Sequence, residues 1–353
     1  MAEVSEANRE EVLRALGAWS RLKGAEIGHL EGGLINQSWR ASMPEQDYVV
    51  QRVHGDFAPG IHENMQAVSR HLESRGVSVS KLVETDQGAL FSDRGEGGRW
   101  RLMKKLPGVS FRKCRGADQA RSAGALVASF HGGLMDWSGD LAPIGFPFHD
   151  LPKHLSDLRD ALAENGDHPL QREVAKLAET LFATQAAWTP HPALPVRVLH
   201  GDLKFSNLLF DGSESPDCDR AHALIDLDTI SRLPLYYDMG DAWRSWCNVG
   251  GEGPEAVRFD LDLFRASAEG YLSALGMEVS QEERASLADS VERVSLELGV
   301  RFATDALWES HFAWDPSRFE SAGEHNLERA RGQLALHDQT RATRSDRARF
   351  LLG

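Results

Sequence analysis

Val198-Leu199-His200-Gly201-Asp202-Leu203-Lys204-Phe205-Ser206-Asn207 and, a short interval later, Ala223-Leu224-Ile225-Asp226-Leu227-Asp228 are the stretches that decide how this chain is read. Each begins with an apolar run that predicts a short strand. The first strand delivers a carboxylate, Asp202, onto a loop that carries an amide side chain five residues on, Asn207. The second delivers another carboxylate, Asp226. Upstream, a short opening helix is followed by Ala25 to Val53, which predicts three strands, with Gly32-Gly33 between the first two and Tyr48-Val49-Val50 in the third. After Pro59, the near-helical recurrence of Ile61, Met65, Val68 and Leu72 predicts a helix that Gly76 ends. Two more strands are expected around Lys81 to Phe91 and Trp100 to Lys105, flanking the Gly-rich turn Asp93 to Gly98. Beyond Leu106-Pro107-Gly108 the pattern turns helical. Ala123, Leu126, Val127, Phe130 and Leu134 share one face of a helix over Ala120 to Leu134. Helices follow around Leu151 to Glu164 and Leu170 to Trp188, the strand Val196 to Leu199 comes next, and at least three helices occupy Phe259 to Leu336. The expected fold is therefore α+β with two lobes. Residues 1–106 form a small β-rich N-lobe, and residues 107–353 a larger, mostly helical C-lobe.

Composition narrows the function classes. With 353 residues, 41% of them hydrophobic, the chain can bury two ordinary cores. Its 39 basic and 53 acidic residues leave a formal charge of −14, which repels a polyphosphate backbone and argues against nucleic acid as a partner. Three cysteines, Cys114, Cys218 and Cys247, fit neither a zinc knuckle nor a disulfide framework. No leader and no apolar run of membrane-spanning length is readable, so the expected location is the cytoplasm, away from the membrane. There is no Walker A motif, no His-Glu-x-x-His pair and no nucleophile elbow.

What remains is the paired carboxylate motif. Phosphoryl transfer needs one carboxylate to orient and deprotonate a hydroxyl, and an amide oxygen plus a second carboxylate to hold magnesium on the phosphates of ATP. The Asp-x4-Asn spacing matches the catalytic loop of protein kinases, with Gly201 where those enzymes carry Arg. The order of three strands, a helix and two strands is that of a kinase N-lobe, so the fold expected is protein-kinase-like. The His-Gly-Asp-x4-Asn form resembles the aminoglycoside phosphotransferase and choline kinase superfamily. That resemblance implies Asp202 as base, Asn207 and Asp226 as magnesium ligands, and His200 as a residue that shapes the loop. It also implies that Asp238, in Tyr236-Tyr237-Asp238-Met239-Gly240-Asp241, supports the loop, although Asp238 and Asp241 stand just before a helix expected near Ala242 and one of them could serve as its N-cap. Lys204, between base and amide, could neutralise the transferring phosphoryl group or be an ordinary surface lysine. Asp228 is expected on the same side of its strand as Asp226, facing metal or substrate.

The nucleotide side is less sharply written. Glu31-Gly32-Gly33-Leu34-Ile35-Asn36 could bring backbone N–H groups over phosphates or be a plain hairpin turn. Where kinases place a phosphate-binding lysine, this chain has Gln51-Arg52, and either residue could fill the role, with Glu63 on the next helix as a possible partner. The base of ATP is expected near Met103 to Leu106, with Met103 and Lys105 among its neighbours.

The resemblance runs closer still. Tyr48 to Val53, His200 to Asn207, Ile225 to Thr229, Asp238 to Asp241, Arg301 to Asp305 and His325 to Gln333 look like the N-acetylhexosamine 1-kinase branch, which also carries Gln-Arg in the third strand. This implies an ATP- and Mg2+-dependent sugar kinase that phosphorylates an anomeric hydroxyl, with a small-molecule acceptor as its partner. Arg301 and Asp305 are candidates for the acceptor site, although they are four residues apart and could pair with each other. A kinase for aminoglycosides, choline or another amino alcohol is the alternative, and a non-catalytic nucleotide-binding regulator the second.

Overall fold

The computed structural model describes residues 6–30, 36–212 and 218–353. Helix α1 (Glu6–Leu16) precedes strands β1 (Glu26–His29), β2 (Gln37–Ser42) and β3 (Asp47–Val53). Helix α2 (Ile61–Ser74) follows, then β4 (Ser78–Val79), β5 (Ser92–Asp93) and β6 (Arg99–Lys104). Five of these strands make one antiparallel sheet in the order β1-β2-β3-β6-β5. Alternation along the strands gives the sheet two apolar faces. Trp39, Val50, Trp100 and Leu102 bury one face against Val12, Leu16 and Trp19. Met103 packs on the other side with Met65, Val68 and Leu72 of α2.

The strand expected over Lys81 to Phe91 is not formed. Leu82 makes one isolated bridge to Met103, and the chain then turns, with Thr85 Oγ1 accepting from the backbone N–H groups of Gln87 and Ala89. That local side-chain bonding competes with the ladder and leaves only the two-residue β5 beyond it. Strand β4 pairs instead with the strand leading to Asp226, in parallel register Ser78↔Ala223.

The helical part begins with α3 (Ala117–Gly133), α4 (Leu151–Glu164) and α5 (Gln171–Ala186). Four short strands then frame the motif region, β7 (Val196–Leu199), β8 (Leu208–Phe210), β9 (Ala221–Leu224) and β10 (Ser231–Pro234). The chain closes with α6 (Tyr236–Trp246), α7 (Leu261–Ala274), α8 (Gln281–Leu287), α9 (Ser290–Trp308), α10 (Ala322–Ala342) and α11 (Arg344–Leu352). Helices α3 and α7 touch through glycine: a Cβ on Gly124 would lie 2.0 Å from the Ser267 carbonyl oxygen. A separate core joins α4, α5, α9 and α10 through Leu158, Leu181, Val300 and Leu327. Among the described residues no helix is long and apolar enough to cross a membrane. The architecture is α+β, a small sheet-rich N-terminal part on a helical C-terminal part.

Candidate active site

The loop after β7 is held from beneath. Asp238 is fully buried and accepts hydrogen bonds from the backbone N–H of His200 at 2.8 Å and of Gly201 at 2.7 Å. His131 Nε2 stands 2.9 Å from the same carboxylate, and His131 Nδ1 lies 3.0 Å from the Tyr271 hydroxyl. Burial works against charge on Asp238, but the His131 contact and the two amides outweigh it and hold the carboxyl below its ordinary range. Asp238 and Asp241 both lie inside α6, which starts at Tyr236, so neither caps the helix as the sequence suggested. His200 Nδ1 accepts from the Asp202 N–H at 3.3 Å, so Nε2 carries the proton and donates to the Ile225 carbonyl at 3.0 Å. This imidazole ties the two motif strands together. Gly201 has φ +87, and a Cβ there would meet the Thr229 carbonyl oxygen at 2.6 Å, so no side chain is tolerated at this position.

Above this floor four predicted residues come together. Lys204 Nζ donates to Asp202 Oδ2 at 2.6 Å and stands 3.9 Å from Asp226 Oδ2. Asn207 Nδ2 donates to the Asp202 carbonyl at 2.8 Å and to its Oδ2 at 3.2 Å. Asn207 Oδ1 and Asp202 Oδ1 accept no hydrogen bond among the described residues and are left for other partners. Burial disfavours charge on Asp202, yet the ammonium of Lys204 brings its carboxyl below the usual value. Asp226 goes the other way, raised by burial and by the charge of Asp228. The two carboxylates thus differ in proton affinity because one owns the lysine and the other does not. Asp226 has φ +67, a left-handed conformation uncommon outside glycine, and a 3-10 turn, Leu227–Thr229, follows directly.

That turn overturns the expectation for Asp228. The strand ends at Leu224, so the two-residue alternation does not extend to Asp228, which turns toward the N-terminal sheet. Its side chain is 2% exposed and forms a bidentate pair with Arg101 of β6, with Arg101 Nη2 to Asp228 Oδ2 at 2.9 Å. Asn36 Nδ2 adds a bond to Oδ2 at 2.7 Å, and Asn36 Oδ1 accepts from the His54 N–H. With its oxygens occupied, Asp228 is not a substrate ligand here. Gln51 Oε1 accepts from Arg101 Nε at 2.9 Å, so Gln51 lies on the cleft face of β3. Arg52 points to the opposite face and pairs with Glu11 of α1 at 3.3 Å, which removes it from the phosphate role. Glu63 is exposed, whereas its neighbour His62 turns inward with a pKa pushed down to about 4, chiefly by burial. Met103 is buried in β6, and Lys105 directly follows that strand, its N–H bonded to the Asp47 carbonyl. Gly32 and Gly33 lie outside the described residues. Arg101 was missed in the sequence because it sits between Trp100 and Leu102, like an outward strand residue. The signal was the alternation itself, which places Arg101 on the same face as Gln51.

On the far side of the loop, Arg301 of α9 makes no hydrogen bond or ion pair among the described residues. Its guanidinium lies 5.3 Å from the Phe312 ring centre. Burial lowers its pKa, and the nearby charges of Glu297, Asp202 and Asp241 oppose that shift. Asp305, expected beside it, is instead consumed by the loop after α9. It is 3% exposed and accepts from the backbone N–H of Ser310, His311 and Phe312 and from Asn326 Nδ2. The sequence offered Asp241 only as a possible helix cap; its Oδ1 accepts from Arg244 at 2.6 Å while Oδ2 is buried without a partner among the described residues. Phe148 adds an apolar wall, its ring packed close to Gly201.

Among the described residues no cluster of three or more His, Cys, Asp or Glu side chains is set to hold a metal. A hard ion that keeps water and phosphate oxygens needs only one or two protein carboxylates, and the residues whose chemistry would suit it are Asp226 and Asn207.

A model of the phosphotransferase enzyme family (APH) matches residues 26–275. Among solved structures, the chain is similar to a microcompartment-associated aminopropanol kinase, with 18% identity, TM-score 0.64 and coverage of 96% of this chain and 98% of that one. It is similar to aminoglycoside 2'-phosphotransferase-IIIa solved with GDP, with 16% identity, TM-score 0.59 and coverage of 96% and 99%. It is also similar to a choline/ethanolamine kinase family protein from Mesorhizobium loti, with 18% identity, TM-score 0.55 and coverage of 94% and 99%. At these identities the structures establish a common protein-kinase-like fold. The family match covers well over half of the chain and shows that this chain belongs to the phosphotransferase enzyme family, enzymes that phosphorylate hydroxyl groups of small molecules.

Proposed function

We propose that this phosphotransferase uses ATP to phosphorylate the anomeric hydroxyl of a sugar or N-acetylhexosamine. The observation that carries the acceptor class is the unpaired Arg301 beside Asp202. A guanidinium that makes no hydrogen bond or ion pair has donors to spare for hydroxyl and acyl oxygens, which it binds in a fixed fork. Asp202 accepts the proton of the acceptor hydroxyl through Oδ1, the oxygen that Lys204 leaves free, as that hydroxyl attacks the terminal phosphorus in line. Lys204 offsets charge on the transferring group. Asn207 and Asp226 hold magnesium, which when bound neutralises phosphate charge. His200 and Asp238 keep the loop in register. Residues 1–106 and 107–353 act as the two lobes, with ATP between them and Gln51, Met103 and Lys105 on the N-terminal side. Asn36 acts indirectly, by fixing Asp228.

The amino-alcohol reading keeps one specific support: Asp241 Oδ2, buried and unpartnered, is an acceptor that an ammonium could use. Measuring ADP release across N-acetylhexosamines, hexoses, choline, aminopropanol and aminoglycosides, with phosphorus NMR of the product, separates the two. A glycosyl phosphate resonance is expected. Turnover confined to amino alcohols would overturn the sugar assignment.

A further inference from the structure

The peptide unit that joins Gly201 to Asp202 is gripped at both of its polar groups. Its N–H donates to His200 Nδ1 at 3.3 Å, and its oxygen, the Gly201 carbonyl, lies 3.4 Å from Nε2 of a second imidazole, His149. His149 lies outside both motifs, just before α4, where Asp150 caps the helix by accepting from the Lys153 N–H. Its backbone is left-handed, φ +49, a conformation uncommon outside glycine that persists where the surroundings fix it.

The other ring nitrogen decides the protonation state. His149 Nδ1 lies 3.0 Å from Glu297 Oε1 of α9, with both side chains buried, 7% and 4% exposed. A carbonyl and a carboxylate oxygen only accept, so a ring bonded to both carries two protons and a positive charge. The surrounding groups agree. Burial disfavours charge on His149, yet Glu297, helped by Asp241 of α6, outweighs it and the opposing charge of Arg301, so the pKa is raised. Burial disfavours charge on Glu297 too, and His149 still holds its carboxyl below the ordinary range. The Tyr237 ring of α6 lies 4.5 Å from the imidazole at 33°, a face that favours a cation, and burial raises its hydroxyl away from ionisation. His154 stands 3.8 Å from Glu297 Oε1, with its pKa pushed down to about 4 by burial.

We propose that His149 is a positioning residue for phosphoryl transfer: anchored as an imidazolium by Glu297, it donates to the Gly201 carbonyl and fixes the orientation in which Asp202 presents its carboxylate to the acceptor. Because Glu297 retains the Nδ1 proton, deprotonation strips Nε2, sets a lone pair against the carbonyl oxygen and releases the grip. The inference rests on Asp202 as the base but not on the acceptor class.

The test reads ADP release with N-acetylglucosamine and with water, which the same base activates in acceptor-free hydrolysis of ATP. Turnover of the wild-type chain should decline as pH rises through the His149 pKa, above 6.5. Glu297→Gln removes the charge that retains the second proton, so that decline should move to lower pH by about one unit or more, with KM for ATP changed by less than about twofold. His149→Asn tolerates the left-handed backbone and keeps a donor toward Glu297, and should lower kcat by about tenfold or more. Thermal melts check that both variants fold. Nitrogen-15 NMR of the wild-type imidazoles, with His149 assigned by its loss in His149→Asn, needs no acceptor and should show the ring titrating above 6.5. A ring that titrates at or below that value, or a decline that stays in place in Glu297→Gln while Asp202→Asn is impaired, overturns the inference alone. Undiminished turnover in Asp202→Asn overturns the base assignment and the inference with it.

Discussion

The two walls of the cleft are built on opposite principles. On the C-terminal side the polar groups of the 200–207 loop are fixed by close neighbours: Asp238 takes two backbone amides, His200 bridges to Ile225, and Asn207 reaches back to the Asp202 carbonyl. Asp202 Oδ1 and Asn207 Oδ1 accept no hydrogen bond among the described residues. On the N-terminal side the strongest cation, Arg101, is spent entirely inside the protein on Asp228 and Gln51. The first wall is preorganised for a ligand, and the second for the other wall. The lobe that brings a phosphate-binding charge in many kinases here uses its buried charge to bind the lobes together, and on the proposed reading Lys204, from the loop after β7, supplies the cation instead.

The largest expected effect tests the first wall. Asp202→Asn keeps the shape of the side chain and removes the proton acceptor, so turnover should fall by roughly 10^2- to 10^4-fold, with nucleotide affinity and melting temperature near wild type. Steady-state rates beside a nucleotide titration decide it, and unchanged turnover would remove Asp202 from the role of base.

Breaking the second wall should instead destabilise the fold. Arg101→Met leaves a buried carboxylate unpaired, and a loss of about 3–5 kcal/mol is expected in denaturant titration. Replacing both partners, Arg101→Met with Asp228→Leu, should recover most of that loss. If the single variant is as stable as wild type, the pair does not join the walls.

A third expectation concerns acid. His62 has its pKa lowered to about 4 by burial, and His154 likewise falls to about 4. Below the unfolded value of 6.5 the unfolded chain binds protons that the folded protein refuses, so stability should decline as pH falls from 6.5 toward 4 and be fully present above that window. His62→Phe should flatten part of this slope in melts across the window, and an unchanged slope would show that His62 does not titrate as described.

The smallest effect is expected on the outer face of the sheet. Arg52 and Glu11 are about one-third exposed, so Arg52→Ala should cost about 0–1 kcal/mol and leave nucleotide affinity unaltered. A large rise in nucleotide Kd would return Arg52 to the phosphates.

Much of this architecture was legible because it is local. The apolar spacing of Ile61, Met65, Val68 and Leu72 marked α2, and the motif order set Asp202, Asn207 and Asp226 on one loop and the turn after a strand. Lys81 to Phe91 misled because Thr85 bonds its own neighbours, a choice that apolar content does not reveal. Asp305 misled because a helical position tells which face a residue occupies, not that four donors from the following loop and from α10 will converge on it.

The linear pattern by itself determined the class of chemistry, since a carboxylate, an amide and a second carboxylate at fixed separations on strand-led loops are specified by short-range geometry. Only the tertiary structure decided which charges stay available. Arg52, Asp228 and Asp305 are taken up by partners 41 residues upstream, 127 upstream and up to 21 downstream, while Arg301 finds none. Pairing of a charged group depends on what folding brings within a few ångströms, and no periodicity along the chain encodes that.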